Sequence, residues 1–236
     1  MKISFVIPVY NEEENIPILY EELKGLINSA AIESEIIFID DGSTDNSLDI
    51  IKSIKREDQT VEVLSFEKNY GQSSALKVGF DRASGDIVVT MDSDLQNDPT
   101  EILKLLPYLE KGYDVVSGWR KNRADSFKKK FASKIANSIR NKIIKDDIKD
   151  TGCMLKVYRR DVLAKIEMFR GFHRFLPSLL KLHGASVIEV EVNHRKRKFG
   201  KSKYGIKNRM LKSLVDTFIV LWMKKNYIKP HIKEEL

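Results

Sequence analysis

The chain is predicted to fold as an α/β protein built on an open, mainly parallel sheet flanked by helices. Two features predict this. Short β-branched runs alternate with amphipathic segments through the first half, as in successive βαβ units. Polar clusters fall where those runs end, and the carboxyl ends of parallel strands are where such sheets bind ligands.

In order, Ile3–Pro8 reads as a strand that ends in Pro8-Val9-Tyr10-Asn11-Glu12, and residues 12–28 follow at helical spacing with Asn11 as the cap. A second strand, Glu35–Asp40, runs into Asp40-Asp41-Gly42-Ser43, where Ser43 is placed to cap a helix over residues 44–56. The third, Val61–Phe66, leads through Lys68-Asn69-Tyr70-Gly71 to a helix over residues 73–83. The fourth, Asp86–Met91, delivers Asp92-Ser93-Asp94 ahead of a helix over residues 100–109, and Asp114–Ser117 is the fifth strand. One such cluster is ordinary turn chemistry; four at four strand ends define a single face.

After Arg120 the pattern changes to basic amphipathic segments, roughly residues 126–144, followed by the polar turn Asp150-Thr151-Gly152-Cys153 and a further strand over Val187–Val192. Residues 194–212 hold nine basic residues and no acidic one. Downstream, Met210-Leu211, Leu214-Val215, Phe218-Ile219 and Leu221-Trp222-Met223 recur at helical spacing, flanked by Arg209, Lys212, Lys224 and Lys225. That profile suits an interfacial helix; a packed core helix or an oligomer interface fits it too. No Pro/Gly/Ser-rich linker separates the halves.

Composition narrows the function classes. With 236 residues, 42% hydrophobic and 32% charged, the chain can bury a full core. Cys153 is the single cysteine, which excludes an intramolecular disulfide or a Cys-based zinc site, and the four histidines lack metal-ligand spacing. The net charge of +7 hides a division: residues 1–119 carry 10 basic against 23 acidic side chains, and residues 120–236 carry 31 against 11. An acidic half suits a metal-dependent site and a basic half an anionic partner such as phosphate, lipid headgroup or nucleic acid. The strand at Ile3 leaves no room for a signal peptide, and no apolar stretch approaches the roughly 20 residues of a membrane span, so a cytoplasmic location is expected.

The most chemically specific stretch is Met91-Asp92-Ser93-Asp94-Leu95-Gln96, which places two carboxylates and an amide just past a buried apolar run. Hard oxygen ligands at alternate positions suit Mg²⁺ or Mn²⁺, and such an ion commonly holds a diphosphate. A carboxylate facing a base edge or ribose hydroxyl would account for Asp40 and Asp41. Neither a dinucleotide-binding glycine fingerprint nor a P-loop is present, so phosphate is expected to be held through the metal.

These motifs resemble the family-2 glycosyltransferases, whose GT-A fold begins with a Pro-Val-Tyr-Asn-Glu strand end and an Asp-Asp-Gly-Ser-x-Asp turn. Within that family the chain is most similar to the dolichyl- and polyprenyl-phosphate sugar transferases, from Ile3 to about Met223. The marks are Asn69-x-Gly71, Gly85-Asp86, Asp92-x-Asp94-Leu95-Gln96, Ser117-Gly118-Trp119-Arg120, Asp150-Thr151-Gly152 and Phe199-Gly200-Lys201-Ser202-Lys203-Tyr204. The resemblance implies a glycosyltransferase domain over residues 1–204, with a nucleotide and metal half (1–119) and an acceptor half (120–204), followed by an amphipathic segment over 205–236. It implies that Pro8, Tyr10, Glu12 and Asp40, with Asp41, Asn69 and Asp92, bind the nucleotide sugar, and that Asp92, Asp94 and Gln96 contact Mg²⁺ or Mn²⁺. Arg120 and Lys129 take the places that hold the acceptor phosphate, Lys129 standing where Arg is common. The basic segment over residues 195–204, with Lys201, Ser202 and Lys203, is the counterpart of a flexible loop that closes over phosphates, and a solvated charge run is its structural alternative. The family's Gly-x-Phe-Arg reads Gly152-Cys153-Met154-Leu155, with Lys156 next.

The acceptor decides what further catalytic group is needed. A sugar hydroxyl requires a general base, and Asp150 is the acid placed to be one; a turn cap with Thr151 is its structural alternative. A lipid phosphate, with a second pKa near 6, attacks unaided and needs cations to position it. His173, His183 and His194 read as packing or surface residues, and Cys153 as a buried filler. The expected function is transfer of a sugar from a UDP- or GDP-sugar to a polyprenyl phosphate at the cytoplasmic membrane face, by a protein attached peripherally, through a membrane-protein partner or as a homo-oligomer. Transfer to a sugar hydroxyl is the second reading. Non-catalytic nucleic-acid binding is the third, and the basic half lacks the interleaved aromatic residues it would use.

Overall fold

The computed structural model describes residues 1–121, 146–200 and 206–228, the side chains of 206–214 excepted. The β-branched runs form strands β1 (Ile3–Val9), β2 (Ser34–Asp40), β3 (Val61–Ser65), β4 (Ile87–Thr90) and β5 (Val115–Trp119). The second half adds β6 (Lys156–Arg159) and β7 (Val187–Glu191), giving one sheet in the order β3-β2-β1-β4-β6-β5-β7. Every pairing is parallel except those of β6, which inserts antiparallel between β4 and β5. No strand was expected at Lys156–Arg159, a four-residue segment with basic ends and no alternation to mark it.

Helices cover both faces: α1 (Ile16–Ser29), α2 (Ser47–Glu57), α3 (Gln72–Arg82), α4 (Ile102–Glu110), α5 (Arg160–Leu163), α6 (Leu176–Leu182) and α7 (Ile206–Asn226). Alternate residues of β1 feed two cores. Phe5 and Ile7 pack with Leu19 and Leu23 of α1 and Leu105 of α4, while Val6 packs with Leu76 of α3 and Leu176 of α6. Each such side chain, fully buried, contributes about 1.5–3 kcal/mol of transfer free energy. Gly79 lets α3 approach β1 this closely, because a Cβ there would lie 2.3 Å from Val6 Cγ1.

Two helices start later than expected, and for a shared reason. Neither Asn11 nor Ser43 caps a helix: α1 begins at Ile16 and α2 at Ser47. Asn11 instead takes a left-handed conformation (φ 53°), its N–H donates to Ser43 Oγ at 2.9 Å, and its Oδ1 accepts from the Thr44 N–H at 2.7 Å. The two strand-end loops are thus knitted to each other, which fixes the face on which the polar clusters gather.

At the opposite end of the sheet, Glu35 accepts hydrogen bonds from Lys2 Nζ (2.8 Å), Ser4 Oγ (2.5 Å) and both the N–H (2.7 Å) and hydroxyl (2.8 Å) of Ser84. Burial alone would raise its pKa; the hydrogen bonds outweigh that and lower it to about 2. A depressed folded-state pKa stabilises above the unfolded value, near 4.5, and that stability is lost as pH falls from there towards 2. Glu35→Gln is therefore expected to cost about 1–3 kcal/mol at pH 7. Denaturant midpoints of the two proteins should converge as pH is lowered from 5 to 2; a gap independent of pH would refute the assignment.

Candidate active site

The carboxyl ends of β1, β2 and β4 bring the acidic clusters together. Pro8 is buried near the end of β1, Tyr10 is half-buried beyond it, and Glu12 is buried with its N–H donating to Ser47 Oγ at 2.8 Å. Asp40 accepts from the Ser43 N–H (3.2 Å) and the Ser65 hydroxyl (3.0 Å). Asp41 points to the next loop, accepting from the backbone N–H of Tyr70 (2.7 Å) and Gly71 (2.9 Å), while Asn69 Nδ2 donates to the Asp41 carbonyl at 3.2 Å. Burial raises the Asp41 pKa against those hydrogen bonds. Gly42 (φ +69°) fits the turn because a Cβ would sit 2.4 Å from the Lys68 carbonyl carbon. Asp41 and Asn69 thus tie the turn after β2 to the loop after β3.

Past β4, Asp92 and Asp94 lie close enough for their charges to interact, and Leu95 follows in a left-handed conformation (φ 61°). Asp92 Oδ1 accepts from Gln72 Nε2 at 2.7 Å, and Asp94 Oδ1 accepts from the Gln96 N–H at 3.1 Å. Burial pushes both carboxyls up; for Asp94, with the charge of Asp92 adding to it, the pKa reaches about 7. Arg197 crosses to this turn, its Nη2 bonding to Asp94 Oδ2 and its Nη1 lying 3.4 Å from Glu12 Oε1. Gln96 Nε2 donates to the Arg195 carbonyl at 3.4 Å, so its amide is turned to the basic segment.

Among the described residues no group of three or more His, Cys, Asp or Glu is arranged to hold a metal ion. A half-buried Asp92 beside a buried Asp94 nevertheless forms a field that favours a cation. Mg²⁺-type ions are held by one or two carboxylates with substrate phosphates completing the shell, and Asp92 and Asp94 fit that arrangement. A bound divalent ion there would act as a Lewis acid on the leaving diphosphate.

The acceptor-half residues converge on the same cleft from β5 and the turn before β6. Arg120 and Asp150 form a buried bidentate pair: Nε to Oδ2 at 2.8 Å and Nη2 to Oδ1 at 3.0 Å, with side chains 9% and 5% exposed. Asp150 also accepts from the Arg120 N–H (3.2 Å) and the Gly152 N–H (3.1 Å), and its own N–H donates to Glu189 Oε1 at 2.8 Å. Burial works against the Arg120 charge, but the Asp150 hydrogen bonds and charge prevail and raise its pKa. Beneath the pair lies Lys156, fully buried, donating to the Cys153 carbonyl, its pKa lowered by burial. The Cys153 thiol is buried and pushed up, the opposite of an activated nucleophile. Away from the cleft, His173 Nδ1 pairs with Ser73 Oγ at 2.8 Å.

The structure thus brings together Glu12, Asp92, Asp94, Gln96, Arg120 and Asp150. Lys129, Lys201, Ser202, Lys203 and the expected helix over 126–144 lie outside the described residues. Gln72 and Lys156 join the site without having been given a role in it, and Arg197, expected only as part of a phosphate-covering basic loop, joins it by bonding to Asp94. Arg197 was one cation in a basic run, Gln72 lay one residue past a motif, and Lys156 has the composition of a surface residue.

A mixed sheet with metal-suited acids past its fourth strand and a basic segment crossing them defines a nucleotide-sugar-transferase type of fold, and the comparisons agree. The glycosyl transferase family 2 model matches residues 4–167, and the chain belongs to that family. It is 41% identical over 204 residues to the undecaprenyl-phosphate 4-deoxy-4-formamido-L-arabinose transferase of Photorhabdus laumondii, and 43% identical to that of Proteus mirabilis; each match covers 86% of this chain and 63% of the relative. The chain thus spans somewhat under two-thirds of the length of these relatives. Among solved structures, glucosyl-3-phosphoglycerate synthase from Mycobacterium tuberculosis, in complex with Mn²⁺, UDP and phosphoglyceric acid, superposes with a TM-score of 0.72 at 19% identity, covering 97% of this chain and 80% of that one. At that identity the likeness establishes the GT-A fold.

Proposed function

We propose that this glycosyltransferase moves a sugar from a UDP- or GDP-sugar to a polyprenyl phosphate, with inversion, using Mg²⁺ or Mn²⁺ at Asp92, Asp94 and Gln96. The observation that carries the acceptor reading is the Arg120–Asp150 pair. A general base needs a lone pair free for a proton, and each carboxylate oxygen of Asp150 already accepts two hydrogen bonds, Oδ2 from the Arg120 N–H and Nε, and Oδ1 from Arg120 Nη2 and the Gly152 N–H. A phosphate acceptor needs no base; it needs cations, and Arg120, held in place by Asp150, keeps guanidinium N–H groups beyond the two that bind Asp150. Lys129 would complete that site, and Lys201, Ser202 and Lys203 the covering loop. The relatives, undecaprenyl-phosphate sugar transferases by name, support the same acceptor class.

Attachment at the cytoplasmic face of a membrane would follow from α7. Val220 packs into the core, while Val215, Phe218, Ile219 and Trp222 are exposed on the same helix beside Lys224 and Lys225. No helix among the described residues is long and apolar enough to cross a membrane. An exposed aromatic and aliphatic stripe with adjacent cations suits peripheral contact with an anionic bilayer.

The test is a panel of UDP- and GDP-sugars with Mn²⁺ and short-chain polyprenyl phosphate, followed by transfer of labelled sugar into lipid. Labelled glycosyl phosphate lipid is the expected product. Label entering sugar-hydroxyl acceptors while polyprenyl phosphate stays unlabelled would overturn the acceptor reading.

A further inference from the structure

Arg197 is not among the residues that the proposed reaction uses, yet it stands at the centre of the acidic cluster. It reaches across 103 positions to Asp94 and lies 3.4 Å from Glu12, joining the ends of β1 and β4 through one cation. Both carboxylates are nearly excluded from solvent, Glu12 at 8% exposure and Asp94 at 6%. The chain is anchored on either side of it. Before it, the Arg195 N–H donates to the Gln96 carbonyl at 2.9 Å, and the Arg195 guanidinium pairs with Glu22 at 2.7 Å and Asp98 at 2.6 Å. After it, Phe199 packs on the core and Gly200 (φ +73°) brings the backbone back alongside Glu12. Arg195 and Phe199 hold the segment outside the cleft, and Arg197 is the member that enters.

We infer that Arg197 is a resident cation that occupies the divalent-ion position at Asp94, so that an incoming ion must displace it. The inference rests on the metal reading proposed above. Buried carboxylates are costly to keep ionised without a partner, and a guanidinium keeps its proton at any working pH, so it can leave Asp94 only by moving. Coupling of this kind is reciprocal: if Arg197 weakens ion binding by some factor, the ion weakens the hold of Arg197 on Asp94 by the same factor. Gln96 links the two events, because its N–H donates to Asp94 and its side chain donates to the Arg195 carbonyl. Arrival of the ion would thereby release the Arg197 side chain from the acidic cluster, while Arg195 and Phe199 keep the segment anchored. Arg197 is then a positioning residue, and its role differs in sign from that of a purely structural ion pair. Removing a purely structural partner would not raise ion affinity at Asp94; removing a competitor for the same carboxylate oxygen raises it.

The experiment is a Mn²⁺ titration of the nucleotide-free protein, with free Mn²⁺ read by electron paramagnetic resonance, on wild type, Arg197→Gln, Arg195→Gln and Asp94→Asn. Arg197→Gln is expected to bind Mn²⁺ on the order of tenfold more tightly than wild type. Arg195→Gln, which removes a neighbouring charge outside the cleft, should stay close to wild type. In chelator, Arg197→Gln should melt below wild type, with the difference closing as Mn²⁺ is added. Equal or weaker Mn²⁺ affinity in Arg197→Gln overturns the inference, as does equal tightening in Arg195→Gln. Undiminished affinity in Asp94→Asn would instead remove the metal assignment itself, so the two failures are told apart.

Discussion

Arg120→Ala is expected to lower the unfolding free energy by about 3–5 kcal/mol and to abolish transfer to a phosphate acceptor. The pair it breaks is bidentate and nearly dry, with side chains 9% and 5% exposed. Truncation strands the Asp150 carboxylate where water cannot replace the guanidinium, and that stranded charge, not the Coulomb energy of the pair, dominates the cost. Asp150→Asn is the informative counterpart. It leaves Arg120 without its carboxylate partner above the fully buried Lys156, whose charge burial already disfavours. Both single variants should therefore destabilise strongly, whereas replacing the pair together by apolar residues of similar volume should recover most of the stability and none of the activity. Denaturant unfolding of the three proteins, closed as a double-mutant cycle, measures the coupling. Singles whose costs simply add would show that the pair is not coupled. A transfer rate that fell steeply with falling pH in the wild type but not in Asp150→Asn, with stability untouched, would restore Asp150 as a general base.

The parallel half of the fold was legible because each strand carries its own signal. Ile36-Ile37-Phe38-Ile39 and Ile87-Val88-Val89 are buried on both faces and read as uninterrupted apolar runs. The antiparallel insertion was not, because β6 owes its existence to partners on either side: Lys156 pairs with Thr90 and Ser117, contacts that no local window contains. The helix starts misread at Asn11 and Ser43 share that cause, since each side chain spends its hydrogen bonds on the other's loop. In the candidate site, the acids on strand ends were visible as motifs, while their partners were not. Residue type and spacing announce Asp92-x-Asp94, but nothing in a run of nine basic residues distinguishes Arg197, which enters the cleft, from Arg195, which is tied down outside it. That difference is geometric and arises only when β7 returns the chain beside β5.

Asp94→Asn is expected to reduce sugar transfer by about a thousandfold at saturating Mn²⁺, equivalent to roughly 4 kcal/mol of lost charge stabilisation on the departing diphosphate. Unfolding would not account for such a loss. Burial, with the charge of Asp92 adding to it, holds the Asp94 pKa at about 7, so in the ion-free protein near neutrality an amide of the same shape removes an unfavourable charge along with a favourable contact to Arg197. Stability should accordingly change little while activity collapses, a split that separates an ion-binding carboxylate from a structural one. The same raised pKa predicts the pH response of the wild type. Ion binding requires the carboxylate, so the bound ion must expel a proton as pH falls below about 7, and Mn²⁺ affinity should decline there. Mn²⁺ titrations at pH 8, 7 and 6, with nucleotide diphosphate present, read this directly; affinity flat across that range would show that Asp94 stays ionised without the ion, and would shift the role of ion ligand towards Asp92 alone.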